Sequence, residues 1–122
     1  MSIQGKKVAI VGGGPGGLTL ARLLQQKGVE VKVYERDASP LARVQGATLD
    51  LHEESGLEAL RQAGLAEAFR IHYRPDAGRL RIMDERARIH FDDHANEAYR
   101  EDRPEIDRGP LRNLLLASLY SG

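Results

Sequence analysis

The chain has 122 residues, with 18 basic and 18 acidic side chains, no formal net charge and no cysteine. This length suits one domain or part of one, and a content of 41% hydrophobic and 30% charged residues is typical of a globular protein. A neutral chain offers little attraction to nucleic acid or to an anionic membrane surface. The lack of cysteine excludes disulfides, thiolate metal ligands and a cysteine nucleophile. With neither a secretory signal nor an apolar stretch of about 18 residues, we expect a cytoplasmic protein.

The first part of the chain has the pattern of a strand, a glycine-rich turn, a helix and a second strand. Residues 8–11 form a short apolar run rich in β-branched side chains, which predicts a strand buried in a parallel sheet. Good helix formers follow over 18–27, and Gly28 is placed to end that helix. Residues 29–34 then alternate apolar and polar side chains, as strands do. We therefore expect a β-α-β unit over residues 6–35.

The turn of this unit contains Gly12, Gly14 and Gly17 in the spacing G-x-G-x-x-G, with Pro15 and Gly16 between the last two. In dinucleotide-binding proteins these glycines allow a tight turn, close approach of the backbone to a pyrophosphate, and close packing of helix on strand. Pro15 lies near the first turn of the helix, where its missing N–H costs no hydrogen bond. The phosphates would contact free N–H groups at the positive end of the helix.

An acidic residue, Glu35, lies at the end of the second strand, about 20 residues beyond the turn. A carboxylate at this place accepts hydrogen bonds from ribose hydroxyls and would repel a 2′-phosphate. The glycine spacing and Glu35 together predict binding of an ADP-containing dinucleotide. They leave open whether that dinucleotide is FAD or NAD.

Three short motifs narrow the choice: Y-E-R at residues 34–36, G-x-T-L-D-L-H at 46–52, and acid-I-x-R-x-x-L-R at 105–112. With these motifs the sequence resembles the group A flavoprotein monooxygenases of the aromatic-hydroxylase type, and within them the tetracycline-inactivating flavin monooxygenases. The resemblance implies that FAD is the cofactor and that the glycine turn, with Pro15 and Gly16, holds its pyrophosphate.

The same resemblance implies further roles, residue by residue. Glu35 would bind the adenosine ribose, and Arg36 would lie against the adenine, where a planar guanidinium can stack. Arg112, near the start of the last helix, would face the FAD diphosphate and ribitol as a permanent cation with a fork of donors. The segment that passes near the flavin is matched by Arg43, Gly46 and Thr48. The catalytic residues stay unknown.

The predicted fold class is α/β, a Rossmann-like FAD/NAD(P)-binding β-α-β domain that is incomplete. Residues 1–122 would form its N-terminal part, truncated before the later flavin motifs and the substrate domain. Periodicity and turn residues predict a helical segment over 54–70 that Gly64 interrupts, a hairpin over 79–92 and a final helix over 110–119. Pro110 is expected at the first position of that final helix, after a weak cap.

The resemblance implies NADPH- and O₂-dependent hydroxylation of an aromatic or polyketide-like small molecule, with the 122-residue chain inactive alone. Neither nucleic acid nor a membrane is an expected partner, and the exposed faces of a truncated sheet offer a route to a homodimer. Two alternatives stay open: a fragment of an NAD-dependent oxidoreductase, and a non-enzymatic nucleotide-binding module or split protein.

No metal site is expected from the four histidines, which lack the spacing of a ligand pair. Asp92, Asp93 and His94 form a possible cluster of ligand types, but a polar loop rarely brings several ligands to one point. For Asp50 and His52, two residues apart on a predicted strand, we expect a hydrogen-bonded structural pair rather than an acid–base pair.

Overall fold

A computed structural model describes residues 2–39, 47–75, 77, 79–94 and 104–120. The helices in these ranges are α1 (Pro15–Gln26), α2 (Gly56–Gln62), α3 (Ala66–His72) and α4 (Arg108–Ser118). The strands are β1 (Lys7–Val11), β2 (Glu30–Tyr34), β3 (Thr48–Asp50), β4 (Tyr73–Arg74), β5 (Arg81–Met83), β6 (Ile89–Asp92) and β7 (Glu105–Asp107).

The first two strands are parallel and are joined through α1, in the strand–helix–strand order that the sequence predicts. Lys7 lies opposite Glu30 at one end of the pair, and Val11 lies opposite Tyr34 at the other. Gly28 ends α1 in the left-handed region at φ +75°, with its N–H donating to the Gln25 carbonyl. The carboxyl ends of both strands and the start of α1 therefore meet at one edge of the sheet, where dinucleotides bind in folds of this kind.

A second sheet, antiparallel and in the order β3-β7-β4, was not predicted from the sequence, although β3 overlaps the strand expected at Asp50 and His52. Its centre is Ile106 on β7, which is fully buried and lies opposite Leu49 and Tyr73. Because β7 runs directly into α4, this sheet fixes where the last helix begins. The position of Arg112 within the fold follows from that junction.

The helices and β7 share one hydrophobic core. Its buried members are Leu18, Leu60, Ala63, Leu65, Phe69, Ile106, Leu111, Leu114 and Leu115. Arg22 crosses between helices above this core: its Nε donates to the Ala63 carbonyl at 3.1 Å and its Nη1 to the Ser118 carbonyl at 3.1 Å. The packing of α1 against α4 brings residues far apart in sequence to the glycine turn.

The predicted helix boundaries differ from those of the structure. The segment predicted over 54–70 begins and ends two residues later than expected, and it is divided into α2 and α3 at Gly64, as the sequence predicts, where Gly64 adopts φ +73°. Helix α4 begins at Arg108 with Asp107 at the N-cap position, so Pro110 is the third helical residue and not the first. A proline is tolerated there because the first four N–H groups of a helix have no intrahelical acceptor.

Strand β1 is buried on one face only, so the prediction of a fully buried strand is wrong. Ile10 is 8% exposed, whereas Val11, on the opposite face, is 89% exposed. Helix α1 packs against one face of the β1-β2 pair, and side chains alternate between faces. The apolar side chains of the hairpin β5-β6 are also half-exposed: Leu80, Ile82, Met83, Ile89 and Phe91. None of the helices in the described ranges has both the length and the apolar character needed to cross a bilayer.

Candidate nucleotide-binding site

The glycine turn between β1 and α1 needs glycine at both of its ends. Gly12 has φ +114°, a conformation that side chains disfavour, and its N–H donates to the Tyr34 carbonyl at 2.7 Å. A Cβ on Gly17 would overlap the Gly12 carbonyl oxygen and would lie 3.3 Å from Ile10 Cγ2. The start of α1 can therefore pack this closely on the end of β1 only without a side chain at Gly17.

The start of α1 is open toward solvent. Gly14 is the N-cap residue, Pro15 is the first helical residue, and no side chain in the described part of the chain caps this end. A Cβ on Gly14 or Gly16 would meet no atom of the described residues within 4 Å, so this part of the fold leaves the backbone open to close approach. The N–H groups of Gly16 and Gly17 belong to the first helical turn and have no intrahelical acceptor. This combination of free donors and open space suits an anionic group.

Glu35 reaches from the end of β2 onto the turn. Its Oε2 accepts a hydrogen bond from the Gly13 N–H at 2.7 Å, and its Oε1 accepts one from the Asp37 N–H at 3.1 Å. The N–H of Asp37, then that of Gly13, hold the pKa of the Glu35 carboxyl below its usual value, with a smaller contribution from the charge of Arg112. Glu35 is therefore a carboxylate at neutral pH.

Arg112 reaches the same turn from the first part of α4. Its residue is only 8% exposed, and its Nε donates to the Gly13 carbonyl at 3.0 Å. Its Nη2 lies 3.5 Å from Glu35 Oε2, and its Nη1 lies 3.9 Å from Asp37 Oδ2, both at ion-pair distance. Gly13 thus donates a hydrogen bond from its N–H to Glu35 and accepts one at its carbonyl from Arg112.

The other predicted site residues lie elsewhere or outside the described residues. Arg36 is exposed at the end of β2. Thr48, on β3, donates from its hydroxyl to Glu105 Oε2 at 2.6 Å in the antiparallel sheet. Arg43 and Gly46 lie outside the residues that the structure describes. The geometry therefore brings together the glycine turn, Glu35 and Arg112.

Sequence reasoning missed two residues of this site, Gly13 and Asp37. A Cβ on Gly13 would lie 2.9 Å from Glu35 Oε2, so a side chain at this position would displace the Glu35 carboxylate from its present place on the turn. The run of three glycines at 12–14 was the available signal for Gly13. For Asp37, its place directly after Glu35 and Arg36 was the only signal.

Two groups that the sequence singled out lie away from the turn. The possible ligand atoms of Asp92, Asp93 and His94 lie within 4.8 Å of one another at the end of β6, among the described residues. The Asp92 carboxylate accepts from Arg81 and from the His94 N–H, as in an ordinary polar turn. His52 Nε2 lies 3.3 Å from Asp50 Oδ2; Asp50 is the last residue of β3, and His52 follows just beyond it.

The model of the FAD binding domain family matches residues 6–107 of this sequence. The chain belongs to this family. The monooxygenase asqM of Emericella nidulans is 37% identical over 118 residues, which cover 93% of this chain and 26% of that protein. The rifampicin monooxygenase of Rhodococcus hoagii is 37% identical over 103 residues, which cover 83% of this chain and 21% of that protein. This FAD binding domain chain thus spans about a quarter of the length of the curated relatives it matches.

A solved structure, the tetracycline destructase Tet(55), has the same fold as this FAD binding domain chain. The two structures superpose with a TM-score of 0.67 at 21% identity. The superposition covers 97% of this chain and 28% of the Tet(55) chain. At that identity the likeness concerns the fold. FAD, the cofactor of the family, fits the residues present, because the open backbone at Gly14 and Gly16 suits a diphosphate and Glu35 offers a carboxylate to a ribose.

Proposed function

We propose that this chain is the FAD-binding portion of a flavin-dependent monooxygenase. The observation that carries the proposal is the convergence of Glu35 and Arg112 on the Gly13 peptide, beside the open start of α1. An ionised carboxylate and a buried guanidinium then flank a helix terminus with free N–H groups. A dinucleotide that carries both a ribose and a diphosphate matches that set of groups.

Each group has a distinct part in binding. The N–H groups at the start of α1 hold the diphosphate, and Glu35 accepts from the ribose hydroxyls of the adenosine. Each Glu35 oxygen has a second lone-pair direction beyond the one used by a backbone N–H. Arg112 adds a fixed positive charge beside the diphosphate and ribitol, and the exposed Arg36 is available to stack on the adenine. Arg43, Gly46 and Thr48 line the path toward the flavin in this proposal.

Bound FAD supplies the oxygen-transfer chemistry, and the protein binds, orients and shields it. We propose that the whole protein uses NADPH and O₂ to hydroxylate an aromatic or polyketide-like small molecule, and that it is cytoplasmic. The names of the two curated relatives support a monooxygenase. Since the chain spans about a quarter of their length, we propose that it binds FAD but does not turn over by itself. The exposed face with Val11 and Tyr34 is available for a homodimer contact.

Calorimetric titration of the 122-residue chain with FAD, ADP, NAD and NADP tests the binding proposal. FAD and ADP should bind, while NADP should bind least because its 2′-phosphate would lie near the Glu35 carboxylate. Glu35→Gln should weaken binding of FAD and ADP. The matched control is Glu30→Gln at the other end of β2, where the exposed carboxylate pairs only loosely with Lys7 at 3.7 Å. Tighter binding of NAD than of FAD would favour the NAD-dependent alternative, and binding of none would reject the proposal.

Two further measurements test the rest of the proposal. Oxidation of NADPH in the presence of O₂, FAD and a phenol or tetracycline should not exceed that of free FAD. Turnover by the chain alone would contradict the proposed inactivity. Gel filtration should show a dimer that Val11→Lys converts to a monomer; a wild-type monomer would reject the homodimer.

A further inference from the structure

Asp37 links the two charged residues that hold the glycine turn. Its backbone N–H donates to Glu35 Oε1 at 3.1 Å, and its Oδ2 lies 3.9 Å from Arg112 Nη1. The Asp37 side chain is 8% exposed, while that of Glu35 is 25% exposed. Of the two carboxylates that the described part of the chain places beside Arg112, Asp37 is therefore the more buried.

We propose that Asp37 is a positioning residue that holds the Arg112 guanidinium against the Gly13 carbonyl and so keeps the glycine turn in the conformation that receives the diphosphate. The inference rests on the proposed function, which it extends by one residue. No role in dinucleotide binding is attached to Asp37 by the motifs of the sequence. It acts through Arg112 and needs no contact with the cofactor.

The charges around Arg112 explain why such a residue is needed. A guanidinium on a side chain that is only 10% exposed is costly unless it is paired. Its Nε is committed to the Gly13 carbonyl, so the two Nη atoms must find partners on other sides. One partner is Glu35, whose Oε2 lies 3.5 Å from Nη2, but in the proposed function this carboxylate also accepts hydrogen bonds from the ribose. Asp37 supplies a second negative charge that ligand binding does not engage.

The position of Gly13 shows how this pairing reaches the ligand. The Gly13 carbonyl accepts from Arg112, and the residue that follows, Gly14, is the N-cap of α1. A guanidinium free to rotate would release that carbonyl and let the peptide between Gly13 and Gly14 turn. The N–H groups that begin α1 would then be less well oriented toward a diphosphate. A loss of ligand affinity is therefore expected without any lost ligand contact.

Asp37→Asn tests the inference, because it removes the charge and keeps the shape and the backbone N–H. We expect the Kd for FAD and for ADP to rise by about tenfold, or 1.4 kcal/mol, within the range for coupled neighbours. In an Arg112→Gln background the same substitution should change the Kd by less than about twofold, because Asp37 acts through Arg112. Calorimetry on the four proteins of this cycle measures the coupling. Glu30→Gln is the matched control and should leave both values unchanged.

The amide resonances of Gly13 and Gly14 give a second readout that a general loss of stability would not move. Both should shift in the ligand-free Asp37→Asn and Arg112→Gln proteins and stay in place in Glu30→Gln. Arg112→Lys keeps the charge beside Asp37 but lacks the fork that also reaches Gly13. It should bind FAD as weakly as Arg112→Gln, and it serves as the decisive variant if Asp37→Asn does not fold.

The outcomes separate this inference from the proposed function. If the wild-type chain binds FAD while Asp37→Asn binds as tightly or more tightly, Asp37 has no positioning role and the proposed function stands. An effect of Asp37→Asn that persists in the Arg112→Gln background overturns the inference in the same way. Wild-type affinity in Arg112→Lys also overturns it. If the wild-type chain binds no dinucleotide, the proposed function fails, and unmoved Gly13 and Gly14 resonances would reject the positioning role as well.

Discussion

Gly17→Ala should destabilise the fold because its new methyl group meets backbone. The added Cβ would overlap the Gly12 carbonyl oxygen, lying roughly 1 Å inside any allowed contact. It would also lie 3.3 Å from Ile10 Cγ2, so neither side of the turn has room. Overpacking of this kind costs about 1–3 kcal/mol, and alanine recovers at most ~1 kcal/mol of helix propensity. We expect the free energy of unfolding to fall by about 2 kcal/mol, which lowers Tm by about 6–10 °C.

The neighbouring glycine provides the control for this prediction. Among the residues that the structure describes, a Cβ on Gly16 would meet no atom within 4 Å, so Gly16→Ala should leave Tm unchanged or raise it slightly. Thermal unfolding followed by circular dichroism compares the two variants with the wild-type chain. Equal Tm values for Gly17→Ala and Gly16→Ala would show that α1 does not need its close approach to Gly12.

Three further predictions concern ligand affinity, packing and pH. Gly14→Ala should leave Tm within about 2 °C but raise the Kd for FAD, because its methyl group enters the space above the N-cap. A lower Tm together with a higher Kd would show a folding defect instead. Arg22→Met should lower the free energy of unfolding by about 2–3 kcal/mol, since the Ala63 and Ser118 carbonyls lose a charged donor; denaturant unfolding measures this, and exposed Lys32→Met is the control. The Asp37 and Gly13 N–H groups lower the pKa of Glu35 in the folded state, so the ionised Glu35 carboxylate stabilises the fold. This stabilisation is complete above the usual pKa of 4.5 and is lost as the pH falls through the lower pKa of the folded state. Unfolding from pH 7 to pH 3 should show a smaller acid loss for Glu35→Gln, and identical profiles would argue against the hydrogen bonds at Glu35.

The β-α-β unit and its glycine turn are readable from local sequence because their causes are local. Gly12 is needed for a positive φ within a single turn, and Gly17 contacts a residue only five positions away. Glu35 follows directly from the end of β2, which the alternation of apolar residues predicts. The family membership, now shown by the match over residues 6–107, also rests on short motifs that are visible in the sequence.

The antiparallel sheet and the exposed face of β1 could not be predicted from local sequence patterns. Strands β3, β4 and β7 have only two or three residues each, too few for a periodic signal. They form because Ile106 pairs with Leu49 and Tyr73, both of which are distant from it in the sequence. An apolar run such as residues 8–11 predicts a strand, but it does not show which of its faces other elements cover.

The sequence by itself determined the dinucleotide turn, the acid that follows β2 and the flavoprotein family, because each depends on residue types at short, fixed spacings. Only the tertiary structure decided how the site is held together. Arg112 donates to Gly13 from 99 positions away, and Asp37 reaches the same guanidinium from the end of β2. These contacts exist because α4 packs on α1, and because β7, which runs directly into α4, fixes where that helix begins. Such packing depends on the whole core, and no short motif specifies it.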